Sequence, residues 1–299
     1  MQEFLQHTLN GLSTGSIYAL VALGYTMVYG ILQMINFAHS EIYMLGAFAV
    51  YYVARFFGLN TPSTLNFIIG LLSAIVACGL VGFAVERFAY KPLRKTDKLN
   101  VLITAIGVSI LFQFGGQIIF GADPKSFPDL IENTELFNFL EIPFNVVDLL
   151  IYGVTFASLI ALTYLVNYTQ RGRAMRAVST KPDAAKLMGI NNDSIISFTF
   201  VVGSVLAGIG AFLVATKYPK IDPMMGARIG MGAFVAAVFG GIGNLPGAVL
   251  GGYLLGLGEC YLIGYGASTF REALSFFILI LILLVKPNGL LGKTAKEKI

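Results

Sequence analysis

The chain contains no tryptophan, two histidines and two cysteines, and only 12% of its 299 residues are charged. A soluble globular domain has about 25% charged residues. With 56% hydrophobic residues, the composition predicts an all-α polytopic membrane protein, because a helix satisfies its own backbone hydrogen bonds in lipid. We expect a single transmembrane domain over residues 1–299, with no separate soluble domain.

The few histidines and cysteines also limit the chemistry of the chain. His7 and His39 have no cysteine at metal-ligand spacing, so we expect no metal site. Cys78 and Cys260 lie in apolar segments, which predicts two buried free thiols rather than a disulfide. No set of nucleophile, base and orienting residue is recognisable. We therefore expect no enzymatic activity, no cofactor in this chain and no nucleic-acid partner.

One short sequence, GLLGKT at residues 289–294, is similar to a phosphate-binding loop. That loop requires a glycine separated by four residues from the Gly-Lys pair, and this position is occupied by Pro287. A basic tail at the membrane surface explains the sequence better. We therefore expect that this chain does not bind ATP itself.

The positive charges are concentrated in three segments, which hold fourteen of the twenty Lys and Arg residues. These cations are Arg87, Lys91, Arg94, Lys95 and Lys98, then Arg171, Arg173, Arg176, Lys181 and Lys186, then Lys286, Lys293, Lys296 and Lys298. Lys and Arg accumulate in cytoplasmic loops of membrane proteins, so we place all three segments on the cytoplasmic side. Residues 121–145 form an acidic loop, which we place outside. Its charges are Asp123, Asp129, Glu132, Glu135 and Glu141, against the single Lys125.

Apolar segments alternate with polar breaks along the whole chain and predict eight or nine spans. With nine spans, the N-terminus is outside and the C-terminus is cytoplasmic. The count depends on the breaks at 33–41 and 224–245. The segments are Thr8–Leu32, Ile42–Phe57, Thr64–Phe88, Leu99–Phe120, Val146–Tyr168, Ile195–Thr216, Met224–Gly241, Leu245–Tyr265 and Phe270–Val285.

Small and polar residues predict how some spans pack. Gly11 and Gly15 in the first span, and Gly203 in the sixth, are spaced for close approach of a neighbouring helix. The fourth span contains Gln113 and Gln117, which predicts a position inside the bundle, where these side chains find partners.

The polar break at 33–41 contains Asn36, His39, Ser40 and Glu41. It could be a cytoplasmic connection in which Ser40 caps the next helix and Glu41 suits the positive end of that helix. It could instead be a helix break beside a substrate path, because irregular backbone at membrane depth is either buried or lines water. The four side chains are therefore candidates for a translocation path, and so is Gln113.

Glu259 is the ionisable residue that lies deepest in an apolar segment. An intramembrane carboxylate is a functional candidate, and a structural, hydrogen-bonded role is equally compatible with its position. Most of the other ionisable residues of the spans fall within a turn or two of a predicted end, where they can reach the interface. They are Glu41, Arg55, Glu86, Arg228, Arg271 and Glu272. A path with so few charges suits apolar or zwitterionic cargo better than an ion.

The central basic segment, residues 170–191, reads QRGRAMRAVSTKPDAAKLMGIN. Pro182 is suited to start a short helix, with Asp183 in its first turn and Gly189 at its end. Such a helix at the membrane surface is either a solvated loop or a docking segment, and the pattern alone does not separate the two.

Four sequences carry a family resemblance. Asp183–Gly189 reads D-A-A-x-x-x-G and resembles the E-A-A-x-x-x-G signature by which permeases of bacterial ABC importers engage their ATPase subunits. Asn10–Ile31, Ile35–Ala47 and Phe239–Gly252 resemble the branched-chain amino acid permease family in particular. The family usually has A-H-G in the second of these stretches, where this chain has Ser40 after His39.

The resemblance implies a permease subunit in the bacterial inner membrane, paired with a second, homologous permease subunit. Two ATPase subunits that bind ATP and Mg²⁺, and an external substrate-binding protein, would complete the importer. The residues implied in ATPase coupling are Arg171, Gly172, Arg173, Asp183, Ala184, Ala185 and Gly189. The two arginines are also suited to anchor the chain at the lipid surface.

Two alternatives remain open. The same family resemblance extends to permeases for urea or short amides, so branched-chain amino acids are not the only possible cargo. From another class, the chain could be a channel or a secondary carrier that needs no ATPase.

Overall fold

The computed structural model describes residues 2–94, 96–139 and 142–292, and it is almost entirely helical. The helices are α1 Gln2–Leu32, α2 His39–Phe57, α3 Thr64–Val85, α4 Lys98–Phe120, α5 Val146–Tyr168, α6 Gln170–Thr180, α7 Pro182–Leu187, α8 Asn192–Lys217, α9 Met225–Gly240, α10 Leu245–Gly264 and α11 Arg271–Val285. A π-helical turn, Glu86–Tyr90, and a 3₁₀ turn, Lys91–Leu93, continue α3. The strands are β1 Lys125–Ser126, β2 Glu135–Phe139, β3 Ile142–Asn145 and β4 Lys220–Ile221.

In the described part of the chain, seven helices are long and apolar enough to cross a membrane, and α9 is a shorter apolar helix. This confirms the all-α membrane class, while the number of spans stays a prediction. The strands add two small antiparallel pairings that the sequence did not indicate. β1 pairs with β4, and β2 pairs with β3 inside the acidic loop.

The centre of the bundle is formed by α1, α2, α8, α9 and α10. Small residues bring these helices together, as expected from their spacing. Gly11 and Gly15 of α1 lie against the backbone of α10 at Leu257 and Tyr253, and Gly203 of α8 lies against α1. The central part of α1 is therefore buried over its whole circumference.

The prediction that the fourth span lies inside the bundle is wrong. Only Val101, Ala105 and Gly116 of α4 are buried, and most of its apolar side chains are exposed. Its two glutamines instead share one partner, which lies just before α9. Gln113 and Gln117 each donate from Nε2 to the sulfur of Met224, at 3.1 Å. A polar residue in a span therefore did not require a central position.

The three basic segments meet at one end of the bundle, which we call the basic end. Arg94 pairs with Asp193 just after the central segment, and Ser179 Oγ donates to Gly30 O at 2.7 Å. In the C-terminal segment, Leu291 O accepts a hydrogen bond from Asn244 Nδ2 at 2.7 Å. Lys95, Glu141, Lys293, Lys296 and Lys298 lie outside the described residues, and so does the Lys-Thr part of GLLGKT.

The two cysteines differ in burial. Cys78 is buried, as predicted, and its Sγ lies 3.3 Å from Ile42 O. Cys260 is only partly buried, because it lies near the end of α10 beside Thr14. Both thiols are free. Among the residues that the structure describes, no group of three or more His, Cys, Asp or Glu is arranged to hold a metal ion.

Candidate functional site

Two short helices, α6 and α7, form the central segment at the basic end. The turn from α5 into α6 is tight: Thr169 Oγ1 accepts a hydrogen bond from Gly172 N at 3.0 Å. A Cβ at position 172 would lie 2.2 Å from Leu165 O, so only glycine fits there. Met175 and Val178 of α6 are buried against the bundle. Gly172 thus shapes the turn, a role that differs from direct contact with a partner.

Helix α7 has the start and end that the sequence predicts. Pro182 occupies its first turn, and Gly189 follows it with a left-handed φ of +82°. A glycine in this conformation just after the last helical residue is a common helix stop. Asp183 and Ala184 are exposed, whereas Ala185 is buried against the bundle.

Leu187 and Met188, at the end of α7, were not singled out from the sequence. Their exposed fractions are 88% and 82%, although both side chains are apolar. They lie at the basic end, beside the exposed Lys186. Exposed apolar side chains rimmed by polar residues are typical of interaction surfaces. The face of α7 that points away from the bundle is therefore suited to dock another protein.

Of the two flanking arginines, Arg171 has a partner within the chain. Its guanidinium lies 4.5 Å from the centre of the Phe198 ring, a cation–π contact with α8. Arg173 is exposed on α6. Both cations remain at the surface of the basic end, where a lipid headgroup or a partner protein can reach them.

A cluster of charged and hydroxyl groups, which we call the Glu86 network, connects α3 to α8 at the basic end. It consists of Glu86, Lys91, Arg94, Asp193 and Ser197. Asp193 is 2.7 Å from both Lys91 Nζ and Arg94 Nη1. Glu86 pairs with Arg94 and accepts a hydrogen bond from Ser197 Oγ at 2.5 Å.

Glu86 is fully buried, with an exposed fraction of 0%. Although Glu86 lies near the end of its predicted span, its side chain therefore does not reach the interface, and Arg94 reaches inward to it instead. Glu86 also opens the π-helical turn Glu86–Tyr90. Such turns occur mostly as local bulges and are frequent at functional sites.

The polar break between α1 and α2 is buried in protein. Asn36, His39, Ser40 and Glu41 have exposed fractions of 6% or less. Helix α2 begins at His39, three residues earlier than predicted, and its cap position is Ala38. Ser40 does not cap the helix, because its hydroxyl donates back to Phe37 O at 2.9 Å. Of the two interpretations, a buried helix break fits these positions better than an exposed connection.

The side chain of Asn36 is hydrogen-bonded just before the start of α2. Its Oδ1 accepts from Ala38 N at 3.1 Å and from Tyr90 OH at 2.8 Å. The side chain of Asn36 therefore holds the start of α2 and also joins it to the π-helical turn after α3.

Several polar atoms around this break have no hydrogen-bond partner within the described residues. They are Asn36 Nδ2, both ring nitrogens of His39 and Glu41 Oε2. Most buried polar groups in proteins are hydrogen-bonded, so such a concentration calls for an explanation. Glu41 also differs from Glu86, since none of the ion pairs in the described part of the chain includes it. This arrangement can accept polar groups of a ligand.

Glycines of α9 allow the start of α2 to approach so closely. A Cβ at Gly226 would lie 2.6 Å from Glu41 Oε2, and one at Gly230 would lie 2.1 Å from Ser40 Cβ. On the other side, the His39 ring packs edge-on against Tyr25, with 4.8 Å between ring centres. His39, Ser40 and Glu41 are thus enclosed between α1 and α9, while Asn36 lies against Tyr90 after α3.

Glu259 lies elsewhere, in what we call the Glu259 network: Tyr18, Glu259, Arg271 and Ser275. Its carboxylate accepts hydrogen bonds from Tyr18 OH at 2.7 Å, Arg271 Nε at 2.9 Å and Ser275 Oγ at 2.9 Å. These groups come from α1, α10 and α11, toward the end opposite the basic end. Both carboxylate oxygens are therefore hydrogen-bonded. This favours the structural role of Glu259 over the functional role, the two roles that the sequence left open.

The chain matches the family described as "Branched-chain amino acid transport system / permease component" over residues 7–285. It is 40% identical to the high-affinity branched-chain amino acid transport system permease protein LivH of Salmonella typhimurium, covering 99% of this chain and 98% of the relative.

The corresponding BraD permease protein of Pseudomonas aeruginosa is 39% identical, with 99% and 98% covered. A probable branched-chain amino acid transport permease protein LivH of Methanocaldococcus jannaschii is 28% identical, with 94% and 90% covered. With the family matched over nearly all of its length, this chain belongs to the permease component family of branched-chain amino acid transport systems.

Proposed function

We propose that this chain is the membrane-spanning permease subunit of a binding-protein-dependent ABC importer for branched-chain amino acids. The observation that carries the proposal is the 40% identity to a permease of that cargo over 99% of the chain. Two features support it: the exposed apolar tip of α7 and the enclosed polar break at the start of α2. The chain would act in transport, with ATP hydrolysis in a partner.

The proposed assembly contains a second, homologous permease subunit, two ATPase subunits that hold ATP and Mg²⁺, and an external substrate-binding protein. It would lie in the bacterial inner membrane, with the basic end cytoplasmic because of its many Lys and Arg residues. The N-terminus would then be outside and the C-terminus cytoplasmic if there are nine spans.

Coupling to the ATPase would use α7 and its surroundings. Asp183, Ala184 and the exposed Leu187 and Met188 face away from the bundle and would enter a groove of the ATPase subunit. Ala185 would fasten α7 to the bundle, and Gly189 would fix its end. Arg171, Gly172 and Arg173 would set the turn and surface charge before it. Movement of the ATPase subunits would displace α7, and the spans would tilt in response.

The translocation path would pass the break at Asn36, His39, Ser40 and Glu41. The unpartnered atoms of this break are suited to a zwitterionic cargo, which has both donors and acceptors. Gln113 would line the same route from α4, where it is half-buried beside Met224. We leave Glu259 out of the path, because its three hydrogen bonds occupy its carboxylate.

The cargo is tested by uptake into vesicles that contain the complete importer, with labelled leucine and labelled urea as competing substrates. Leucine uptake that requires ATP and the binding protein is the expected result. Uptake of urea but not leucine would instead support a permease for urea or short amides. Leucine uptake without ATPase subunits would mean a channel or secondary carrier.

The role of α7 is tested by Gly189→Val. Valine in a left-handed conformation costs about 1–3 kcal/mol and would distort the end of α7, so we expect intact complexes whose ATP hydrolysis is uncoupled from uptake. Gly58→Val is the matched control: Gly58 has φ +67°, ends α2 away from the basic end and has no neighbour within 4 Å. Undiminished uptake in Gly189→Val, or an equal loss in Gly58→Val, would contradict the assignment.

A further inference from the structure

Helix α7 and the first turn of α8 are tied together as one unit. Asn192 Nδ2 donates to Pro182 O at 2.8 Å, and Ile190 N donates to Ala185 O at 3.1 Å. Only four residues, 188–191, separate the two helices. A displacement of α7 therefore has to move the start of α8 as well.

The start of α8 is in turn held to the segment after α3. Asp193, in the first turn of α8, pairs with Lys91 and Arg94, each at 2.7 Å. Arg94 also pairs with the buried Glu86, which Ser197 of α8 contacts from the next turn. Separating a buried charge from its partner is strongly unfavourable. The Glu86 network therefore resists sliding of α8 past the π-helical turn.

The π-helical turn ends at Tyr90, whose hydroxyl donates to Asn36 Oδ1 at 2.8 Å. The same oxygen accepts from Ala38 N, at the cap position of α2. No side-chain hydrogen bond caps the first helical turn itself, so the bond to Ala38 N is the one that fixes the residue just before it. Tyr90 is buried, and its ring lies 5.0 Å from that of Phe200 in α8, centre to centre. The start of α2 is thus held, through Asn36, by the element to which α7 is linked.

From this continuous series of contacts we propose that Glu86 and Tyr90 are positioning residues for transport. They pass a displacement of α7 to Asn36 and so to the first turn of α2, where His39, Ser40 and Glu41 lie. Neither residue contacts the cargo. The inference rests on the proposed function, since it requires ATPase subunits that displace α7. It adds the route from that displacement to the polar break.

The most direct test is hydrogen exchange in the complete importer, with and without a non-hydrolysable ATP analogue. Exchange reports local opening of backbone hydrogen bonds. In the unmodified complex we expect the analogue to change exchange in two peptides, residues 183–191 and residues 33–42. In Tyr90→Phe the change at 183–191 should persist, and the change at 33–42 should be lost.

Transport per ATP hydrolysed is the second readout. Tyr90→Phe keeps the ring that packs on Phe200 and removes a single hydroxyl, so we expect the complex to fold. Loss of one such hydrogen bond should lower leucine transported per ATP about fivefold, with ATP hydrolysis retained. The matched control is Tyr152→Phe, which removes a hydroxyl that donates to Leu9 O at 3.0 Å, away from the basic end. Its transport per ATP should not change.

The outcomes separate failure of this inference from failure of the proposed function. In the unmodified complex, the analogue could change hydrogen exchange at residues 183–191 and not at residues 33–42. That result would overturn the inference and leave ATPase coupling through α7 intact. No change at 183–191 would overturn the coupling on which both depend. A normal transport ratio in Tyr90→Phe, or an equal fall in Tyr152→Phe, would also overturn the inference.

Discussion

The two buried glutamate networks of this chain have similar chemistry and different surroundings. Glu86 and Glu259 each pair with one arginine and accept hydrogen bonds from a hydroxyl group. Glu86 lies at the basic end and is linked to the first turn of α8, next to the exposed α7. Glu259 joins three helices toward the opposite end, where the mostly exposed residues 263–270 connect α10 to α11. Pairing with an arginine therefore does not by itself define the role of a buried carboxylate in this chain.

A second comparison concerns Glu41, which is as buried as the other two glutamates but has no cation partner among the described residues. A buried carboxylate without a cation partner does not add to stability, which fits a role in binding better. We therefore propose that Glu259 serves stability, that Glu86 serves positioning and that Glu41 contacts the cargo. The three residues can be separated by substitution.

The largest effect is expected for Arg94→Met. The side chain of Arg94 is 15% exposed and Glu86 is 0% exposed, so the substitution leaves a buried carboxylate without its partner and should reduce the free energy of unfolding by about 3–5 kcal/mol. Arg271→Met is the matched change at the opposite end. Arg271 is 46% exposed, and Glu259 keeps its hydrogen bonds from Tyr18 and Ser275, so the loss should be smaller, about 1 kcal/mol.

Denaturation of the purified complexes in detergent measures both variants. Arg94→Lys should restore part of the lost stability, because it returns the charge without the planar guanidinium. Equal losses in Arg94→Met and Arg271→Met would mean that the two networks do not differ in burial as described.

A smaller effect is expected for Asp193→Asn. Its side chain is 51% exposed, and exposed ion pairs contribute about 0.2–1 kcal/mol. Stability should therefore change little, while leucine transported per ATP should fall, because Asp193 links α8 to Lys91 and Arg94. Asp222→Asn, which weakens the pair with the exposed Arg228, is the control, and it should not lower transport per ATP. If the two variants transport equally well, the link through Asp193 is dispensable.

Helix positions could be predicted from the sequence where hydropathy and turn residues agree. The fifth span, Val146–Tyr168, was predicted with the bounds that the structure has. Pro182 and Gly189 delimit α7, as predicted. These features depend on residues close together in the chain, which is why local patterns identify them.

Contacts between distant residues could not be predicted. Glu86 contacts Ser197, 111 positions away in the chain, and Asn36 contacts Tyr90, 54 positions away. The residues next to each of them in the sequence do not indicate these contacts. The error for α4 has the same origin: Gln113 finds the sulfur of Met224, 111 positions away, without lying inside the bundle. Polarity indicates that a side chain needs a partner, but it does not say on which helix the partner lies.

The central claim, that Glu86 positions and Glu259 stabilises, is tested most directly by comparing Glu86→Gln with Glu259→Gln. The measurement is leucine transported per ATP hydrolysed by the complete importer in vesicles, with the midpoint of thermal unfolding recorded for each variant. Both variants should unfold at lower temperature. In Glu86→Gln, transport per ATP should fall about three- to tenfold, because the link between α8 and the π-helical turn is weakened. In Glu259→Gln, transport per ATP should be unchanged. An equal ratio in both variants, or a loss confined to Glu259→Gln, would contradict the account.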